Sequence, residues 1–89
     1  MNTNLFINGE FVESSRQEKV INPATGEAIC QVSVADEKDI DIALAAARMA
    51  SDEGPWPLLA LAERKEFILK IAQGILDNAS ELARLETEN

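Results

Sequence analysis

The chain has 89 residues and an apolar fraction of 46%, which suits one small folded domain or one segment of a larger one. Its net charge of −8 argues against a nucleic-acid partner and against an anionic membrane surface, because both are bound through Lys and Arg. One cysteine and no histidine exclude a disulfide framework and a structural zinc site. No apolar run could span a bilayer, and the first residues do not resemble a signal peptide, so we expect a soluble cytoplasmic protein.

The first third of the chain predicts two β-hairpins, over about residues 5–34. Asn8-Gly9 lies between two short segments, Leu5–Ile7 and Glu10–Val12, and Asn and Gly tolerate the positive φ angles of a tight hairpin turn best. The polar stretch from Glu13 to Glu18 predicts a loop. The first hairpin should therefore be short and end before residue 13.

The second predicted hairpin runs from Lys19 to Val34 around an Asn22-Pro23-Ala24-Thr25-Gly26 turn. Alternation along the returning strand assigns its residues to two faces. One face carries Ala28, Cys30, Val32 and Val34, and the other carries Ile29, Gln31 and Ser33. Cys30 would thus lie among small apolar residues, where an inert structural cysteine is typical.

The remaining residues predict helices over about 36–52 and 61–87. Asp36 is a good N-cap, and the first helix is apolar nearly all round between Ile40 and Ala50, so it should need cover on more than one face. Gly54-Pro55-Trp56-Pro57 predicts a rigid extended link. The long helix can break near Asp77-Asn78, which gives two or three helices. The expected fold class is α+β: two amino-terminal β-hairpins followed by two or three α-helices.

No catalytic, cofactor-binding or metal-binding residue can be assigned from the chemistry of the sequence. A nucleophilic cysteine needs a cationic neighbour or a helix N-terminus, and Cys30 is in mid-strand in a chain without histidine. The acidic run from Asp36 to Asp41 lacks calcium-loop spacing and fits a helix start better. There is no Gly-x-Gly-x-x-Gly turn for a dinucleotide. An acyl-carrier role is rejected because neither Ser51 nor Ser80 follows an aspartate and precedes a leucine.

Five segments in order resemble the amino-terminal part of the NAD(P)-dependent aldehyde dehydrogenase family, and together they cover almost the whole chain. The segments are Leu5–Val12, Asn22-Pro23-Ala24-Thr25-Gly26-Glu27, Asp39–Arg48 with Gly54-Pro55-Trp56, Ala62-Glu63-Arg64 with Ile68-Leu69, and Glu81–Thr87. Ala60 departs from the family pattern, which usually has Ser or Thr as a helix cap there.

The resemblance implies a parent enzyme several times longer, with an α/β fold and a Rossmann-like cofactor domain, that oxidises aldehydes to carboxylic acids with NAD or NADP. It also implies that the nucleophile, the base and the cofactor site lie downstream of these residues, so that residues 1–89 are structural and bind no cofactor alone. The carbonyl of Ile21 corresponds to one that can contribute to a monovalent cation site in the family, with its partners in later sequence. The expected partner is the rest of that chain, in a homo-oligomer.

A second hypothesis is a stand-alone interaction or dimerisation module derived from that family, without enzymatic activity. The helix from Ile40 to Ala50 motivates it, because large exposed apolar patches rarely stay bare. A monomer whose state does not change with concentration, and which binds no hydrophobic dye, would count against this alternative.

Overall fold

The computed structural model describes residues 1–89, which form four strands followed by three α-helices. The strands are β1 (Leu5–Ile7), β2 (Glu10–Val12), β3 (Arg16–Ile21) and β4 (Ala28–Val34). The helices are α1 (Glu37–Glu53), α2 (Leu61–Asp77) and α3 (Ala79–Glu88), with a short 3-10 turn at Trp56–Leu58 between α1 and α2. The expected α+β class is confirmed, with three helices after the two hairpins.

The first hairpin is closed by the Asn8-Gly9 turn. Both central residues have positive φ, 52° for Asn8 and 81° for Gly9, as the two-residue turn requires. Across the pair, Phe6 faces Phe11 with ring centroids 5.1 Å apart. This aromatic pair is the main side-chain contact between β1 and β2, and both rings remain largely exposed.

The second hairpin is closed by a turn whose backbone and side-chain polar groups are paired internally. The N–H of Gly26 donates to the carbonyl of Asn22 (2.8 Å), and the N–H of Ala24 donates to the Asn22 side-chain oxygen (2.9 Å). Gly26 has φ 74°, which a residue with a side chain rarely adopts. Local polar chemistry therefore sets where β3 ends and β4 begins.

β3 starts at Arg16, so the prediction of a loop from Glu13 to Glu18 is wrong for its last three residues. These residues pair in antiparallel register with Val32–Val34, which satisfies their backbone groups. Their side chains stay exposed, so polar residues are tolerated there, and Arg16 forms an ion pair with Glu18 (2.8 Å).

The two hairpins are joined by hydrogen bonds rather than by a shared core. The N–H of Ser33 donates to the carbonyl of Thr3 (2.9 Å), and the Ser33 hydroxyl donates to the Asn4 side-chain oxygen (3.4 Å). The Ser14 hydroxyl, in the connection between the hairpins, donates to the carbonyl of Val34. The relative position of the two hairpins is therefore held by these hydrogen bonds and not by apolar packing.

α1 begins with reciprocal hydrogen bonds between its first residues. The Asp39 N–H donates to the Asp36 carboxylate (2.8 Å), and the Asp36 N–H donates to the Asp39 carboxylate (3.0 Å). This capping box satisfies two amide groups that a helix start leaves unpaired. The predicted role of Asp36 as N-cap is confirmed.

A 3-10 turn over Trp56–Leu58 follows α1, so the prediction of an extended Gly54–Pro57 link holds for Gly54 (φ −75°, ψ 168°) and is wrong from Pro55 onwards. Pro55 has φ −73° and ψ −26°, and the carbonyl of Pro55 accepts a hydrogen bond from the Leu58 N–H (3.0 Å). Proline fixes a φ that also suits the first turn of a helix, and here that preference prevails over the extended conformation.

α2 and α3 are separated at a single residue, Asn78, with φ −110° and ψ 16°. The Asn78 side-chain amide donates to the carbonyl of Gly74 (2.8 Å), which terminates α2, and the Asn78 carbonyl accepts from the Leu82 N–H (3.0 Å) at the start of α3. The break that the sequence left open is therefore present.

The folded chain is one layer thick and has no hydrophobic core. Its principal extents are 48 × 34 × 15 Å, and a single helix with its side chains is already roughly 10–12 Å across. None of the 89 residues is buried, and the accessible surface is 7360 Å². A compact monomer of 9.7 kDa would expose only about 5,100 Å². The elements are thus laid out side by side, with both faces of the layer uncovered.

Candidate functional surfaces

Cys30 lines an apolar cleft between the β3–β4 hairpin and α3. The cleft has a volume of about 260 Å³. Its lining residues are mainly apolar and include Val20, Ile29, Cys30, Val32, Leu82 and Leu85. The charged side chains in the lining are the carboxylates Glu86 and Glu88, and neither Lys nor Arg lines the cleft. The surroundings of Cys30 therefore suit an inert packing residue.

Ile29 lines the same cleft as Cys30, although alternation along β4 predicts opposite faces for them. The pairing changes between Val20↔Cys30 and Ile21↔Ala28, so β4 has one extra residue at this point. Such a β-bulge interrupts the alternation of side chains and lets two successive residues lie on the same side. Nothing in the residue types predicted the bulge.

Arg64 makes polar contacts that no pattern in the sequence predicted. Its Nη2 donates to the carbonyl of Pro57 (2.9 Å), and its guanidinium lies 5.9 Å from the centre of the Trp56 ring. On the same indole, Phe67 packs edge to face. Arg64 thus joins the 3-10 turn to α2, and it is the one residue of α2 that is not exposed.

The strongest electrostatic cluster is on α3, on the surface. Arg84 Nη2 and Nε donate to the two carboxylate oxygens of Glu81 (2.6 and 3.0 Å), and Nη1 donates to Glu88 (2.7 Å). The hydrogen bond from Arg84 lowers the pKa of Glu81, and the bonds to Glu81 and Glu88 raise the pKa of Arg84. Glu81 and Glu88 each lie about one helical turn from Arg84, so the cluster stabilises α3 locally.

The chain has no arrangement that could hold a metal ion through side chains. No group of three or more acidic, cysteine or histidine side chains converges. Asp36 and Asp39 are occupied as helix-capping groups. Ile21, whose carbonyl was considered above for a cation site, ends β3 at the bulge.

The glycines do not form a dinucleotide cradle, which requires a glycine-rich turn between a strand and a helix. Gly9 and Gly26 are in hairpin turns, Gly54 ends α1 and Gly74 is inside α2. β4 leads into α1 through Ala35 and Asp36, without a glycine. None of the four glycines therefore lies in a strand-to-helix turn of that kind. None of the helices combines the length and the hydropathy that a membrane-spanning helix requires.

The most extensive unexplained feature is exposed apolar surface on the helices. Among the large hydrophobic residues, α2 contributes Leu61, Phe67, Ile68, Leu69, Ile71, Ile75 and Leu76, each exposed by 47% or more. α1 contributes Ile40, Ile42, Leu44 and Met49. The exposed area in excess of a compact monomer, about 2,200 Å², is larger than the roughly 800 Å² that each partner buries in an ordinary interface. An exposed apolar surface of this size is typical of a surface that contacts a partner.

Comparison with known proteins gives one family. The family model described as "Aldehyde dehydrogenase family" matches residues 11–89. Aldehyde dehydrogenase 1 of Tanacetum cinerariifolium is 48% identical over 86 residues, which cover 94% of this chain and 17% of the relative. Betaine aldehyde dehydrogenase of Bacillus subtilis is 40% identical over 89 residues, covering 98% of this chain and 18% of the relative.

Solved structures agree in fold as well as in sequence. The NAD+ complex of aldehyde dehydrogenase from Bacillus cereus superposes with a TM-score of 0.94 at 41% identity, over 99% of this chain and 18% of that one. Betaine aldehyde dehydrogenase from Staphylococcus aureus, in complex with NAD+, gives 0.92 at 35% identity, over 97% and 18%. The chain therefore spans less than a fifth of the length of these relatives, and it matches their amino-terminal segment.

Proposed function

The chain belongs to the aldehyde dehydrogenase family, and on that premise we propose that residues 1–89 form the amino-terminal structural segment of an NAD(P)-dependent aldehyde dehydrogenase. The whole enzyme would oxidise an aldehyde to a carboxylic acid, with NAD or NADP accepting the hydride. One observation carries this proposal. The segment is a layer without a hydrophobic core, and its fold matches 18% of the length of a complete relative. Such a layer can be stable only as part of something larger.

In this proposal no residue of the segment is catalytic, cofactor-binding or metal-binding. Cys30 packs in an apolar cleft beside two carboxylates, and the glycines occupy hairpin turns and helical positions rather than a phosphate-binding turn. The contribution of the segment to catalysis would be indirect, because it covers and holds other parts of the enzyme. NAD in the complexes from B. cereus and S. aureus supports a nicotinamide cofactor for the whole protein.

We also propose a cytoplasmic homo-oligomer for the whole protein. The single thiol and the charge of −8 are compatible with a reducing, soluble environment. Size-exclusion chromatography with light scattering on the purified whole protein, together with cell fractionation, would test these two points. A monomer, or recovery with an organelle fraction, would contradict them.

The experiment for the main proposal is a chimera in which residues 1–89 replace the matching segment of the B. cereus enzyme. The expected result is a soluble enzyme that reduces NAD in the presence of an aldehyde, whereas the isolated 89-residue chain does not. The matched control is the B. cereus enzyme with that segment deleted, which should be insoluble or inactive. Activity of the isolated chain, or a chimera no better than the deletion, would contradict the proposal.

The second candidate, a stand-alone dimerisation module, is favoured by the same exposed apolar area. The net charge argues against this candidate. Each copy carries a charge of −8, so a dimer would bring together two chains with sixteen excess negative charges in total. Native mass spectrometry of the isolated chain distinguishes the two, because a specific module should form a defined dimer at micromolar concentration.

A further inference from the structure

α2 divides into a narrow polar arc and a wide apolar arc. With 100° of rotation per residue, the polar arc spans roughly 100° of the helix circumference. It carries Glu63, Glu66, Lys70, Gln73 and Asp77. The opposite arc spans roughly 220° and is almost entirely apolar. It carries Leu61, Ala62, Phe67, Ile68, Leu69, Ile71, Ala72, Ile75 and Leu76, interrupted only by Arg64 and Lys65.

Almost none of this apolar arc is covered by the chain itself. α2 contacts α3, which follows it directly, and Phe67 and Arg64 near its start contact the 3-10 turn. Ile71 is 61% exposed, Ile75 55% and Leu76 69%. The residues on both flanks of the arc and those at its centre are therefore equally uncovered.

The width of the apolar arc limits the shape of the surface that can cover it. A helix on the surface of a globular protein buries a stripe somewhat wider than 100°, which one flat layer can cover. An arc of about 220° needs contacts from two sides, as when an amphipathic helix lies in an apolar groove. The polar arc would then be the only part of α2 that reaches solvent.

We propose that α2 is inserted, through this arc, into an apolar groove formed by the part of the enzyme beyond residues 1–89. This inference rests on the proposed function and deepens it by naming the docking element and the chemistry of its partner surface. The comparisons support that occupant, since more than four fifths of each solved relative lies outside the matched segment.

A second copy of the chain fits the arc less well. Two α2 helices packed against each other would cover one stripe on each and leave the flanks of both arcs in water. The charge of −8 on each copy opposes the pairing further. The remainder of the enzyme is therefore the occupant that the geometry and the charge both favour.

The test uses the chimera described above with single cysteines on the two arcs. Ile71→Cys places a thiol on the apolar arc, roughly 40° inside its edge at Phe67, and Glu66→Cys places one on the polar arc at a residue without a hydrogen bond or an ion pair. Maleimide labelling under native conditions, read by peptide mass spectrometry, should be at least about tenfold slower at residue 71 than at residue 66. In urea the two rates should be equal.

A matched charge pair gives a second measurement that does not depend on labelling. Ile71→Lys would place an ammonium in the groove, whereas Glu66→Lys places one in solvent. The yield of soluble active chimera should fall at least about tenfold for Ile71→Lys and stay within about twofold for Glu66→Lys. Equal yields for the two variants would overturn the insertion of α2.

The outcomes separate this inference from the proposed function. An active chimera in which residues 71 and 66 label at the same rate overturns the groove and leaves the family role intact. A chimera no better than the deletion control overturns both. Protection of residue 71 in the isolated chain, together with a dimer in native mass spectrometry, would assign the groove to a second copy and overturn the proposed occupant.

Discussion

Trp56 and Phe67 meet edge to face, with ring centroids 5.8 Å apart and planes inclined at 63°. This pair, with Arg64 beside the indole, is the main side-chain link between the 3-10 turn and α2. It sets the direction in which α2 leaves the turn, so it also orients the uncovered apolar arc of that helix. The aromatic contact and the hydrogen bond from Arg64 to the carbonyl of Pro57 together hold α2 against the turn.

The contact between Trp56 and Phe67 should be measurable as a coupling between the effects of the two substitutions on thermal stability. In the chimera, Trp56→Ala and Phe67→Ala should each lower the midpoint of thermal inactivation, and the double variant should lose less than the two single losses combined. Edge-to-face pairs contribute about 0.5–1.5 kcal/mol beyond buried area, which sets the expected size of the coupling. Strict additivity in the thermal midpoints would show that the two rings do not act together.

Gly54 and Gly74 should respond oppositely to alanine. A Cβ at Gly54 would come within 2.3 Å of the carbonyl oxygen of Ala50, whereas a Cβ at Gly74 meets nothing within 4 Å. Gly54→Ala should therefore destabilise the end of α1. Gly74→Ala should stabilise α2 by up to about 1 kcal/mol, because alanine has the higher helix propensity.

Thermal inactivation of the two glycine variants of the chimera would provide the measurement. Gly74 borders the polar arc of α2, so its substitution also reports on that arc. A large loss of stability for Gly74→Ala would mean that this side of the helix is covered as well, contrary to the proposed exposure.

The Arg84 cluster predicts a pH dependence of helicity in α3. The pKa of Glu81 lies below its ordinary value of 4.5 because Arg84 donates hydrogen bonds to the carboxylate. A carboxyl whose folded-state pKa is lowered favours the helical state above the unfolded pKa, and this contribution is lost as the pH falls through the folded pKa. The effect should be confined to acid pH and weakened by salt, since all three side chains are exposed.

Carboxyl NMR titration of the isolated chain would measure this, because the cluster lies within one helix and needs only local structure. Glu81 should titrate below 4.5, and Arg84→Gln should return it towards that value. An unchanged Glu81 titration in the Arg84→Gln variant would contradict the contact.

The isolated chain should lack a cooperative unfolding transition. None of its residues is buried, and a single layer cannot offset the conformational entropy lost on folding. We expect strong binding of a hydrophobic dye, helical circular dichroism that declines gradually with urea, and a broad calorimetric profile. A sharp transition with no dye binding would show that the chain folds independently and would favour the stand-alone module.

The sequence by itself determined the local structure wherever a few neighbouring residues control the backbone. Asn8-Gly9 formed its tight turn, and Asp36 capped α1 through Asp39, because these features depend on φ preferences and hydrogen bonds within a few residues. The order of hairpins and helices followed in the same way. Five short segments in the family's order then sufficed to indicate the family.

Only the tertiary structure decided features that depend on pairing between distant residues. Arg16 joins β3 because Val34 is available opposite it, and Ile29 shares the cleft of Cys30 because of a bulge set by strand register. The uncovered layer itself could not be established from hydrophobic periodicity, which shows that an apolar face exists but not whether the same chain covers it. That is decided by how the elements are arranged in space, and here they lie side by side.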